Sequence, residues 1–167
     1  MSVNEMGSVS DGRHISNGWV IPSEGYCDQP YVVKMEDGAW LCIMTTASEV
    51  EGASGQHIVS ARSMDRGKTW SELVDVEPID GPEASYAVIM KVSAGRVYVF
   101  YNHNTDNVRK VKADNPPYTD GYCARVDSLG HFVFKYSDDG GLSWSEQRYD
   151  IPVREMEIDR QNADGGR

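Results

Sequence analysis

"SMDRGKTW" at residues 63–70 and "SDDGGLSW" at residues 137–144 are two spellings of one turn: Ser, any residue, Asp, any residue, Gly, any residue, Thr or Ser, Trp. Each position has a physical reason. An Asp in a tight turn accepts backbone N–H bonds from the residues that follow it. A Gly supplies a positive φ. A Trp buries a large ring and needs a partner for its N–H. Ser63, Asp65, Gly67, Thr69 and Trp70, with Ser137, Asp139, Gly141, Ser143 and Trp144, are therefore read as turn-makers. A chain that writes such a turn twice is restricted to folds in which one strand–turn–strand unit recurs.

The flanking sequence repeats as well. Helical periodicity is almost absent, and short runs rich in Val, Ile, Tyr, Phe and Trp are punctuated by Gly, Asp, Asn and Pro. The first set of strands is expected at 31–35, 39–46, 57–63 and 69–76, and the second at 85–92, 96–102, 131–137 and 143–151. The fourth run of each set ends in a Pro, at Pro78 and Pro152, and a similar segment ending at Pro22 precedes both. Four antiparallel strands recurring at constant phase are the signature of β-propeller blades. The expected fold class is all-β, with two four-stranded blades.

With this spacing, the twice-written turn resembles the Asp box, or BNR repeat, of sialidases and related propellers. The resemblance implies a six-bladed ring of which this chain supplies the N-terminal portion, since two blades close no ring. It also implies a division of the chain. Residues 1–16 form a polar arm and 17–27 an outer strand closing the last blade. Residues 28–80 form the first blade, and 81–153 the second, with a long loop over 102–130. Residues 154–167 begin a third blade. In that family the active site lies on the face opposite the repeated turns, where the second-to-third strand loops and the starts of the innermost strands meet. Sialidases place an Arg in a Phe/Tyr-Arg-Ile-Pro segment at the start of the first blade. Here "YCDQPYVV" puts Cys27, Asp28 and Gln29 there, which points away from sialic acid itself.

Composition narrows the partners. Sixteen basic residues against 26 acidic ones give a formal charge of −10, and no Lys/Arg stripe suits a nucleic acid backbone. No apolar run reaches membrane-spanning length. The opening "MSVNEMGSVSDG" has neither the basic start nor the apolar stretch of a secretion signal, so a native N-terminus here would imply a cytoplasmic protein. Cys27, Cys42 and Cys123 lack metal-type spacing and read as free thiols. No cofactor and no metal site is expected, and the oligomeric state is left open.

The candidate site residues fall on the face away from the repeated turns. Asp28, Glu83 and Asp106 are the candidate catalytic carboxylates, because glycosidases pair a proton donor with a second group across the scissile bond. Asp127, also in the long loop, is a further candidate donor beside Asp106, and Gln29, His57, His103, Arg109, Tyr122, Arg125, Asp159 and Arg160 are the candidate substrate contacts. Arg grips carboxylates in bidentate fashion, and aromatic rings cover sugar faces. The expected function is a sialidase-like exo-glycosidase acting on a glycan. A lyase acting on uronate sugars through His57 or His103 with Tyr122 is one alternative. A non-catalytic carbohydrate-binding propeller is the other.

Overall fold

The computed structural model of the protein describes residues 11–112, 120–125, 127 and 129–158. A short 3-10 turn, Ile15–Asn17, precedes the first sheet. That sheet is built from β1 (Tyr26–Lys34), β2 (Trp40–Ala47), β3 (His57–Ser63) and β4 (Val74–Asp75). The second begins with β5 (Ala84–Lys91) and β6 (Val97–His103). A small hairpin of β7 (Val111–Lys112) and β8 (Tyr122–Cys123) interrupts it, and it resumes with β9 (His131–Ser137) and β10 (Tyr149–Asp150). Both sheets are antiparallel and four-stranded, in the orders β1-β2-β3-β4 and β5-β6-β9-β10, while β7 pairs with β8 alone. The all-β reading holds.

The third strands, β3 and β9, coincide with their expected bounds, but the fourth strands are far shorter than the sequence suggests. The cause is the serine after each Trp. Ser71 and Ser145 donate their N–H groups to the carbonyls of Arg62 and Tyr136 at 2.8 Å. Their hydroxyls accept the Arg62 and Tyr136 N–H groups at 3.0 and 3.3 Å. A hydroxyl standing where a backbone carbonyl should be interrupts the ladder, which resumes only at β4 and β10. Residues 17–25 also lie outside any strand, and Tyr26 and Cys27 belong to β1 rather than to a preceding element.

The core lies between the two sheets. Ile43 and Ile58 of the first meet Ala84, Ala87, Val99, Tyr101 and Val133 of the second, nearly all fully buried. Each of the Ile and Val side chains contributes roughly 1.5–3 kcal/mol relative to exposure. Trp144 packs against this cluster and against a second one around Leu41 and Val97, and its indole N–H reaches Ser60 Oγ at 3.0 Å. The second repeated turn is thus tucked into the first sheet. A Cβ at Gly141, whose φ is +85°, would sit 2.5 Å from Leu41 Cδ1, so this glycine serves close approach as well as turn geometry. The first turn bonds to itself, with the Trp70 N–H on the Gly67 carbonyl at 3.1 Å.

Within both turns the Asp does what its position demands. Asp65 Oδ1 accepts the N–H groups of Lys68 and Thr69 at 3.0 and 2.8 Å, and Oδ2 accepts the Thr69 hydroxyl at 2.8 Å. Asp139 repeats the pattern with Leu142 and Ser143. The bonds from Thr69 hold the Asp65 pKa down to about 2. Burial pushes Asp139 up, but the bonds from Ser143 and Ser137 outweigh it and leave that carboxyl at about 2 as well.

Candidate functional site

The chain reverses at the repeated turns on one edge of each sheet, so the β2–β3 and β6–β9 loops and the starts of β1 and β5 gather on the opposite edge. There the first strands of the two sheets share an irregularity. The ladder slips by one residue between Asp28 and Tyr31 against β2, and again between Ser85 and Val88 against β6. The residue at each slip takes a positive φ, +49° at Gln29 and +60° at Tyr86. Neither is glycine, and such a backbone costs on the order of 1–3 kcal/mol unless its surroundings hold it. A bulge also re-aims the side chain it carries. At Tyr86 the backbone N–H is fixed by Thr45 Oγ1 of the first sheet at 3.1 Å.

The re-aimed Tyr86 hydroxyl donates to Asp127 Oδ2 at 2.6 Å. Arg125 clasps the same carboxylate from Nε and Nη2, both at 2.7 Å, and Nη2 also reaches Tyr86 at 3.1 Å and Glu51 Oε1. Asn102 steadies this part of the long loop by donating to the Asp127 and Leu129 carbonyls at 3.0 and 2.7 Å. Gly52 lets the arginine pass, for a Cβ there would lie 2.8 Å from Arg125 Cγ. The Asp127 side chain is wholly buried. Burial pushes its pKa up, but the Arg125 and Tyr86 bonds hold it below the ordinary carboxylate value. Tyr86 is raised by burial and by its bond to Asp127. Tyr26 is raised too, by burial and by the neighbouring Asp28, Glu51 and Tyr86. The result is a group of two tyrosines, three carboxylates and one arginine, drawn from β1, β5 and both loops.

The expected site residues divide. Asp28, half-buried, and Arg125 lie in this group, with Asp127 beneath them. Gln29 sits on the neighbouring bulge, exposed. Glu83 is elsewhere and busy. It is buried, accepts Arg109 Nη1 at 2.6 Å and Asn104 Nδ2 at 3.2 Å, and ties the start of β5 to the long loop. Burial alone would raise its pKa, but those bonds bring it below the ordinary value, which disfavours proton donation. Arg109 is spent on Glu83 and Asn107. Asp106 pairs with His131 at 3.0 Å, at the head of the third strand. His57 is buried, with Nδ1 3.0 Å from the Gly55 carbonyl. His103 is buried with Nδ1 on Thr105, and burial with the positive Arg148 brings its pKa down to about 4. Tyr122 carries the Lys110 ammonium 4.4 Å over its ring. Asp159 and Arg160 lie outside the described residues.

Tyr26, Tyr86 and Glu51 are the members that sequence reasoning missed. The signal for Tyr86 was its phase, since Ser85-Tyr86 stands in the second sheet where Asp28-Gln29 stands in the first. Among the described residues no group of three or more His, Cys, Asp or Glu side chains is placed to hold a metal ion, and no helix is long and apolar enough to cross a membrane.

No family model and no curated protein matches the chain. Solved structures do. A Hadza microbial sialidase, Hz136, superposes with a TM-score of 0.50 at 18% identity, covering 73% of this chain and 25% of its own. A protein of unknown function from Dyadobacter fermentans gives 0.55 at 17% identity, covering 84% and 40%. The NanB sialidase from Streptococcus pneumoniae gives 0.52 at 12% identity, covering 76% and 36%. The chain spans between a quarter and two fifths of the length of these proteins. At such identities the likeness is one of fold, and the fold of this chain is sialidase-like.

Proposed function

We propose that the protein is the part of a glycan-cleaving β-propeller that carries two Asp-box blades, and that its substrate site is the group around Tyr86, Asp127 and Arg125. The observation that carries this reading is the pair of matched bulges. Both first strands store backbone strain at the same position, on the edge where loops converge, and one of them turns a tyrosine onto a buried carboxylate–arginine pair. Of the two carboxyl groups in this cluster with solvent access, Glu51 is paired with Arg125, and the half-buried Asp28 is assigned proton donation to the leaving oxygen. Asp127, locked as a carboxylate, positions Tyr86 and Arg125. Six blades in the ring, and the division of the chain around residues 28–80 and 81–153, belong to the same proposal. The lyase reading has weaker support, because His57 and His103 are buried in structural bonds.

The test compares hydrolysis of alkyl and nitrophenyl glycosides by the wild-type protein and by Asp28→Asn. Loss of a general acid lowers turnover by about 10²–10⁴-fold for the poor alkyl leaving group, and far less for nitrophenol, which departs without a proton. Equal losses on both substrates would remove Asp28 from that role. Binding with no turnover in the wild type would make the protein a carbohydrate-binding module.

A further inference from the structure

We infer that this site accepts sugar ends bearing no carboxylate, and that the carboxylates around Arg125 are what exclude acidic sugars. The inference rests on the glycan reading above and concerns which glycans are taken. An arginine recognises a carboxylate by offering two parallel N–H bonds. Arg125 has already given that fork away, with Nε and Nη2 both on Asp127, and Nη2 shared further with Glu51 and Tyr86. Only Nη1 is left without a partner among the described residues. Withdrawing the fork for a substrate would strand Asp127, whose side chain is wholly buried, as an uncompensated charge.

The local charge points the same way. One guanidinium faces Asp127 and Glu51 directly, with Asp28 beside them, so an arriving anion meets a net negative surface. The second arginine of the long loop does not relieve this, because Arg109 is held by the buried Glu83 and by Asn107. Hydroxyl groups fit where a carboxylate does not. They donate to the half-exposed Glu51 and to Asp28, and accept from Arg125 Nη1, while the rings of Tyr26 and Tyr86 offer apolar faces. Unfavourable charge placed against the wrong ligand is a common source of specificity.

The experiment uses matched pairs that differ at one group, a carboxylate in one member and a neutral group in the other: methyl galactoside and methyl galacturonide, methyl glucoside and methyl glucuronide, and a methyl sialoside with its methyl ester. Affinities are measured by titration of the protein at fixed ionic strength, for the wild type and for Glu51→Gln. Glu51 is half-exposed, and circular dichroism checks that the variant keeps the fold. The expected result is that the neutral member of at least one pair binds about tenfold tighter or more, a difference of about 1.4 kcal/mol, and that Glu51→Gln narrows the ratio. An acidic member that binds as well as or better than its neutral twin overturns the inference and leaves the glycan reading standing. A ratio that Glu51→Gln does not change overturns the role given to the carboxylates. Failure of all six sugars to bind overturns the glycan reading, and this inference with it.

Discussion

Glu77 carries a charge into the join between the two sheets and meets three partners there. Arg148 donates to both carboxylate oxygens at 2.8 Å, the Lys135 ammonium lies 3.5 Å away, and the Tyr101 hydroxyl completes the set. Burial would raise the Glu77 pKa, but the Arg148 and Tyr101 bonds and the Lys135 charge bring it below the ordinary value. Glu77→Ala leaves two cations without their anion and is expected to cost about 3–5 kcal/mol, read as a shift in the urea midpoint. His103 stands beside this cluster, buried, near the positive Arg148 and Lys135, the negative Glu77, and His131. Its pKa of about 4 in the folded protein lies below that of the unfolded chain, about 6.5. Unfolded chains therefore take the proton first as the pH falls, and the protein loses stability between about pH 6.5 and 4. The slope from this one group is at most about 1.4 kcal/mol per pH unit. His103→Gln should flatten that part of the stability profile, while the loss at lower pH that comes from Glu77, whose pKa its partners hold below the ordinary value, remains.

At the scale of elements, the two repeated turns make the same internal bonds but different external ones. Trp144 bonds Ser60 across the sheet join, whereas Trp70 bonds the carbonyl of its own Gly67. Trp144→Phe should then cost about 1–3 kcal/mol, since it strips a partner from a buried hydroxyl, and Trp70→Phe about 0.5–1.5 kcal/mol. Equal unfolding midpoints for the two variants would contradict the join assigned to Trp144. These turns were legible in the sequence because their bonds close within four residues, from Ser63 to Gly67 and from Asp65 to Thr69. The third strands were legible for a similar reason, each being bounded by a His and by the turn's own Ser. The fourth strands were not, because Ser71 and Ser145 interrupt a ladder through bonds to residues nine positions away. The site was harder still. Tyr86 and Asp127 are 41 residues apart, and they meet only because of a bulge whose position depends on the register against β6.

At the scale of the molecule, the two sheets present matching faces with different fates. With β3 and β9 aligned on His57 and His131, Ile58 corresponds to Phe132 and Ser60 to Phe134. The face holding Ile43, Ile58 and Ser60 is covered by the second sheet, and Ile58 is 0% exposed. Its counterpart on the second sheet is open, and Phe132 is 57% exposed. That face is made of Tyr98, Phe100, Phe134, Tyr136 and Tyr149, whose rings meet stacked, tilted or edge-on with centroids 5.1–6.3 Å apart. Beside them lies a groove of about 400 Å³, lined by Tyr86, Val88, Phe132 and Ile151 among others. Two residues at one structural position thus differ in what lies over them, and substitution separates position from burial. Ile58→Ala opens a cavity between the sheets and should cost about 2–5 kcal/mol. Phe132→Ala removes a larger side chain from an open surface and should cost about 0.5 kcal/mol or less. The check is urea unfolding of both variants at two protein concentrations tenfold apart. A small, concentration-independent effect at Phe132 means that the aromatic cluster holds the open face without help. A large effect that grows with concentration means that the face is covered in solution, and that the sheet join seen at Ile58 is repeated on the far side of the second sheet.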